Sequence, residues 1–124
     1  MPGDHRNAAI RVLMMPRDTN HHGTIFGGVI LSYIDQAGAV GAIRNGCRHV
    51  VTVAMDQVIF HQPVQVGDLV SFYADILKVG HTSLKVLVTV EATRRTDGEV
   101  VAVTEAEVTY VNVDTKGKPI SVPY

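Results

Sequence analysis

Cysteine is almost missing from this sequence. Cys47 stands alone, so no intrachain disulfide can form, and a reducing, cytoplasmic compartment is the simpler setting. Charge is scarce as well: Asp, Glu, Lys and Arg make up 19% of the 124 residues, against a usual fraction of about 25%. The shortfall suggests that some surface is covered by other copies of the chain. The 11 basic and 12 acidic residues are scattered, and no basic run is present to neutralise a phosphate backbone, which argues against nucleic-acid binding. The opening stretch MPGDHRNAAIRVLMM lacks the basic start and long apolar core of an export signal. No repeat, low-complexity tract or linker interrupts the chain, so residues 1–124 read as one domain.

Several site types are missing too. The stretch IFGG follows a loop and lacks the spacing of a dinucleotide or phosphate loop, and there is no Gly-x-Ser-x-Gly elbow. His5, His21, His22, His49, His61 and His81 show no His-x-x-x-His spacing, so no metal site is expected. Cys47, at a helix-to-strand junction, reads as a small semi-buried side chain in preference to a thiol nucleophile. The run IFGGVILSYIDQAGAVGAI is nearly long enough to span a membrane. Asp35 at its centre would cost about 2.5–3.5 kcal/mol on insertion scales, and its four glycines weaken it further as an isolated span. It reads as a helix buried in protein, with no membrane partner.

What is present is a short strand, a long helix and four longer strands. Ala8 to Met15 forms the first strand, closed by Pro16, and the polar segment from Arg17 to Thr24 is a loop. The helix is expected from Ile25 to about Arg44, capped by Gly46 and apolar on almost every face, as a helix enclosed by a sheet requires. Beyond it, HVVTVAMDQVIFHQP is rich in Val and Ile. The next strand alternates, with Val70, Phe72, Ala74 and Ile76 opposing Ser71, Tyr73 and Asp75. A further strand places Leu84, Val86, Val88, Val90 and Ala92 on one face. An Asp-Gly turn leads to the final strand, VVAVTEAEVTYVNVD, which ends in DTKGKP. An antiparallel sheet around one apolar helix satisfies this order, and its uncovered edges call for a dimer or larger assembly.

Asp35 is the residue that most needs a reason. Gly28, Asp35 and Ala42 are seven apart, within about 20° of one helix face. The first backbone N–H groups of a helix have no intrahelical partner, and the macrodipole there is positive. Bare glycines at 27 and 28 let a ligand carbonyl approach those groups closely. Asp35 lies about 10 Å further along the stripe, where it could act as general base or nucleophile on a polarised acyl group. A hydrogen bond or ion pair at a subunit contact would also account for it. Asn20, His21 and His22 could equally be turn formers, with Asp18 and Asn20 suited to an Asx-turn or N-cap.

The run MPRDTNHHGTIFGGVILSYIDQAGAVGA resembles the signature of the hotdog-fold acyl-CoA thioesterases, the family of brain acyl-CoA hydrolase and its bacterial relatives. The similarity continues through VTVAMDQVIFHQPVQVGDLV, KVGHTSLKV and AEVTYVNVDTKGKP, covering nearly the whole chain from Ala9. It implies an α+β hotdog fold, with the antiparallel sheet wrapped around one long buried helix and active sites between two such units. It also implies that Asn20 of one unit and Asp35 of the facing unit form the catalytic pair, with Gly27 and Gly28 supplying N–H groups to the thioester oxygen. Lys78, Gly80, Thr82 and Ser83 would hold the nucleotide part of coenzyme A. Arg94 and Arg95 are physically sensible phosphate partners near the following turn. The assembly implied is a homodimer repeated as a trimer of dimers, a hexamer. Coenzyme A enters as part of the acyl-CoA substrate, so no separate cofactor is expected. His21 and His22 depart from the small or polar residues common in relatives, which bears on acyl-chain preference. Two other readings of the fold are an acyl-CoA-binding protein without hydrolysis and a hydratase or dehydratase. Release of free coenzyme A separates the three.

Overall fold

The structure, a computed structural model, describes residues 7–123; His5 and the start of the stretch read for an export signal lie outside them. Strand β1 (Ile10–Leu13) is followed by a 3-10 turn at Pro16–Asp18, helix α1 (Gly27–Arg44), and strands β2 (Val50–Phe60), β3 (Leu69–Val79), β4 (Ser83–Thr93) and β5 (Val100–Asn112). The strands form one sheet in the order β1-β3-β4-β5-β2, antiparallel throughout. β1 and β2 are therefore its two edges, and α1 crosses from one to the other. The segment after β2 returns to the β1 side to begin β3.

The alternation in β4 is observed as expected. Leu84, Val86, Val88, Val90 and Ala92 are buried, and their cross-strand neighbours Phe72, Val108 and Tyr110 are buried with them. Helix α1 lies on this face through Ile30, Ile34, Ala37, Gly38, Gly41 and Ala42. Contact is close because the helix is bare where it meets the sheet. A Cβ on Gly41 would sit 2.7 Å from the Cβ of Ala74, and one on Gly38 would overlap the Tyr110 hydroxyl. At the far end Gly46 has φ +104° and donates its N–H to the Ile43 carbonyl at 3.1 Å, ending the helix as the sequence suggested.

Two expectations need correction. The helix begins at Gly27, because Ile25 is held in extended backbone by its N–H to the Val64 carbonyl at 2.8 Å. Nor is α1 enclosed on every side: Ser32, Gln36, Ile43 and Arg44 are exposed in the single chain, since one sheet covers one face. The outer face of β3 is covered in part as well. Ser71 and Tyr73 are buried under a polar chain in which Arg11 donates to Ser71 Oγ at 2.8 Å and to the Tyr73 hydroxyl at 3.3 Å, and Tyr73 donates to Glu91 at 3.0 Å.

Edge strand β2 is left bare along most of its length. Val53 is 55% exposed and Phe60 52%. Two irregularities break its register with β5, between Thr52 and Ala54 and between Asp56 and Ile59. Gln57, with φ +52°, sits in the second. Each extra residue flips the side-chain alternation, so Thr52 pairs with Tyr110, Met55 with Val108 and Phe60 with Thr104. Among the described residues, no helix is long and apolar enough to cross a membrane.

Candidate active site

Asp35 is half-buried on the third turn of α1, where it faces β2. The Thr52 hydroxyl donates to Asp35 Oδ1 at 2.6 Å, the length of a bond to a charged acceptor. The Tyr110 hydroxyl donates to the Asp35 backbone carbonyl, also at 2.6 Å. Burial, and then the charge of the Asp35 carboxylate, push the Tyr110 phenol well above its ordinary range, so it stays a neutral donor. Asp35 makes no ion pair among the described residues; the Thr52 hydroxyl donates to its carboxylate, and the Tyr110 phenol lies close enough to feel its charge.

The helix tip is the second component. Phe26 is the N-cap and offers no side-chain cap, so the N–H groups of Gly27 and Gly28 keep the polarising character of an open helix end. The chain reaches this tip by a braced loop, in which Phe26 donates its N–H to the Asp18 carbonyl at 2.8 Å. Gly27 opens onto a cavity of about 380 Å³ walled mainly by Ile25, Ile30, Phe60 and Val64. Gly28 opens onto a separate, shallow groove beside Phe26, Ser32 and Gln36. The stripe through Gly28, Asp35 and Ala42 thus runs from solvent into the sheet contact, and Asp35 does not border the Gly28 groove.

Asn20 is turned into its own loop. Its Oδ1 accepts the His22 N–H at 2.8 Å and the Thr24 N–H at 3.3 Å, and its Nδ2 donates to Thr24 Oγ1 at 3.1 Å. That is the Asx-turn that the sequence left open, and no contact joins Asn20 to Asp35 within one chain. His21 and His22 are exposed beside it, their rings 3.9 Å apart. Cys47 is buried and its thiol is pushed up by that burial, which suits a packing role and not a nucleophile. Among the described residues, no group of three or more His, Cys, Asp or Glu could hold a metal ion.

The residues assigned to coenzyme A divide into two places. Lys78, Gly80, Thr82 and Ser83 form the β3–β4 hairpin, closed by the Gly80 N–H on the Ser83 carbonyl at 2.7 Å. The Thr82 carbonyl there accepts the Asn112 N–H at 2.8 Å. Arg94 and Arg95 lie at the other end of β4, and an 11-residue strand separates the ends by roughly 35 Å. Arg94 is also engaged within its own chain. Its guanidinium is 11% exposed, pairs with the 1%-exposed Asp68 at 2.6 Å, and donates to the Pro63 carbonyl at 3.0 Å. Arg95 remains exposed, with its side chain against Gly67. Thr52, Phe60 and Tyr110 are site neighbours that sequence reasoning missed. Their only signal is register, which depends on the bulges in β2.

A family model described as the thioesterase superfamily matches residues 22–99, which include the helix tip, Asp35 and the β3–β4 hairpin. The chain belongs to the thioesterase superfamily. This thioesterase is 43% identical over 115 residues to an uncharacterized acyl-CoA thioester hydrolase of Zymomonas mobilis, covering 93% of this chain and 77% of that one. It is 39% identical over 117 residues to the acyl-CoA thioester hydrolase YciA of Escherichia coli, covering 92% and 89%. Among solved structures, the hexameric hotdog fold thioesterase Cj0915 of Campylobacter jejuni matches with a TM-score of 0.91 and 43% identity, over 96% of this chain and 92% of that one. The sheet curved over α1 is the hotdog fold.

Proposed function

We propose that this thioesterase hydrolyses acyl-CoA to a carboxylic acid and coenzyme A at a site that two copies of the chain complete together. The observation that carries the reading is the placement of two half-sites along one bare edge. Asp35 hangs on Thr52 near the start of β2. The helix tip touches the end of β2, where Phe60 lies 3.6 Å from the position of a Cβ on Gly27. When two copies pair their β2 edges antiparallel about a two-fold axis, the start of one strand lies beside the end of the other. Asp35 of one copy then stands over the helix tip of the other, and the exposed valines and Phe60 are covered.

The chemistry follows from those groups. The thioester carbonyl oxygen accepts from the N–H groups of Gly27 and Gly28, which hold the negative charge that develops on it. Asp35, as general base, takes a proton from water while the water oxygen bonds to the carbonyl carbon. Asn20, on the loop leading to the tip, gives up its Thr24 bond to help hold that water. The tetrahedral intermediate collapses, the C–S bond breaks, and coenzyme A leaves as the thiol after taking the proton. The acyl chain lies in the cavity beside Gly27, and Lys78, Gly80, Thr82 and Ser83 lie ready for the nucleotide.

The names of the relatives, acyl-CoA thioester hydrolases, support the substrate. The hexameric Campylobacter structure supports association of three such dimers. A lone buried thiol suits a cytoplasmic setting. The test is release of free thiol from a panel of acyl-CoAs, comparing the native oligomer with Asp35→Ala. Turnover is expected to fall on the order of 10²–10⁴-fold with the oligomer intact, and a near-normal kcat in Asp35→Ala would refute the assignment.

A further inference from the structure

A second cavity, of about 400 Å³, lies where the end of α1 meets the start of β2, between the turn that carries Gly46, Arg48 and His49 and the segment that follows β5. It is fixed to the β3–β4 hairpin at two points. Asn112, on its wall, donates its N–H to the Thr82 carbonyl at 2.8 Å, and Val122, between two further wall residues, donates to the His81 carbonyl at 2.9 Å. The Val113 N–H on the His49 carbonyl, at 2.9 Å, joins one wall to the other. Its charge is one-sided. Arg48 is exposed and makes no ion pair among the described residues. Asp114, the acid on the wall, turns its Oδ1 onto the N–H groups of Lys116 and Lys118 at 2.8 and 2.9 Å, and both lysines are exposed on that turn. A guanidinium with no carboxylate to bind, on the wall of a cavity in the size range of small-molecule sites, suits a phosphorylated ligand.

We infer that this cavity seats the phosphates of the coenzyme A nucleotide, with Arg48 as their partner, and that the copy holding the nucleotide is the one that supplies Asp35. The inference rests on the thioesterase reading and deepens it. Arg48 precedes Thr52, which holds Asp35, by four residues, at most about 14 Å of extended chain. The pantetheine arm, two amide units and a sulfur-bearing tail in line, covers that distance. The acyl chain lies beside Gly27 of one copy and the carbonyl stands at the seam. The arm then leaves toward the start of the other copy's β2, and the nucleotide arrives between Arg48 and the hairpin. One substrate crosses the seam, and each chain holds one end of it.

The experiment measures kcat/KM for butyryl-CoA, butyryl-dephospho-CoA and butyryl-pantetheine by thiol release, in the native oligomer and in Arg48→Gln. In Arg48→Gln the ratio of butyryl-CoA to butyryl-pantetheine should fall about tenfold, the worth of a charge-assisted hydrogen bond, through KM and not kcat. A matching fall for butyryl-dephospho-CoA places the guanidinium on the pyrophosphate, and its absence places it on the 3′-phosphate. Thr115→Glu, which adds a carboxylate to the same wall, gives the same readout if Arg48→Gln does not assemble. Re-formed mixtures read the chain assignment. Asp35→Ala chains mixed with Asn20→Ala/Arg48→Gln chains should recover about tenfold less kcat/KM for butyryl-CoA than Asp35→Ala/Arg48→Gln chains mixed with Asn20→Ala chains. An unchanged substrate ratio, or the reverse order of the mixtures, would overturn the inference alone. Absence of thiol release from all three substrates by the native oligomer would overturn the thioesterase reading, and the inference with it.

Discussion

The Thr52 hydroxyl donates a 2.6 Å hydrogen bond to Asp35 Oδ1, so a residue on the edge strand aims the carboxylate of the central helix. A hydrogen bond to a charged group contributes roughly 1.5–3 kcal/mol. Thr52→Val, which keeps the shape and removes the donor, is therefore expected to lower kcat by about tenfold with a smaller change in KM. Steady-state kinetics on one acyl-CoA checks it. A change confined to KM would mean that Thr52 serves binding instead.

A site divided between two chains has a signature that no single-chain site shares. Asn20→Ala and Asp35→Ala homo-oligomers should both be impaired. Oligomers re-formed from a mixture of the two should recover part of the native rate, because some seams pair an intact Asp35 with an intact Asn20. Recovery is read from thiol release after unfolding and joint refolding, and its complete absence would contradict the shared site.

The bare edge offers a direct perturbation. Val53 is more than half exposed on β2, and a lysine on a strand edge opposes pairing with a second strand. Val53→Lys is expected to shift the protein toward single chains in sedimentation, with activity falling in step. Full activity in a dissociated chain would place the whole site within one copy.

Arg94 and Asp68 form a buried pair 26 residues apart in sequence. Removing one partner of such a pair costs on the order of 3–5 kcal/mol, because the other charge is left buried. Arg94→Ala should lower the midpoint of chemical denaturation accordingly, and Arg94→Met with Asp68→Leu should cost much less. An unchanged midpoint combined with a raised KM would assign Arg94 to coenzyme A binding and not to the fold.

Tyr110 supplies a pH dependence whose sign is fixed by its shift. Its phenol is raised above the ordinary value of 10, so at alkaline pH the unfolded chain loses that proton before the folded one. The contribution of Tyr110 is thus present in full below about pH 10 and lost progressively as pH rises above it. Native stability should decline more steeply there than that of Tyr110→Phe. The comparison is made by denaturant titration across pH 8–11, and parallel profiles would show that the phenol is not the group responsible.

Much of this arrangement is legible in the sequence, and the rest stays hidden for physical reasons. The β4 alternation was legible because one face of that strand packs on α1, and a period of two is what such burial writes into a sequence. Gly46 and the Asp-Gly turn carried backbone signals of their own. Asp35 stood out as the acid in an apolar helix. The burial of Ser71 and Tyr73 was not legible, since it depends on Arg11 reaching across from β1. The pairing of Arg94 with Asp68 depends on where the crossing segment after β2 lands. The inward position of Thr52 depends on an extra residue in β2, and composition gives no sign of which residue is extra. The split of the coenzyme A residues between the two ends of β4 is legible in the sequence, because the hairpin precedes that strand and Arg94 and Arg95 follow it.

Gly38 leaves room for the Tyr110 hydroxyl, and that same hydroxyl reaches the Asp35 carbonyl. A methyl group at position 38 would therefore lift the rod from its bed and swing the carboxylate out of line in one movement. Selection for a sound protein and selection for a working one act on the same gap. Lineages descended from this chain should find that position closed to drift, however freely the solvent side of the rod varies.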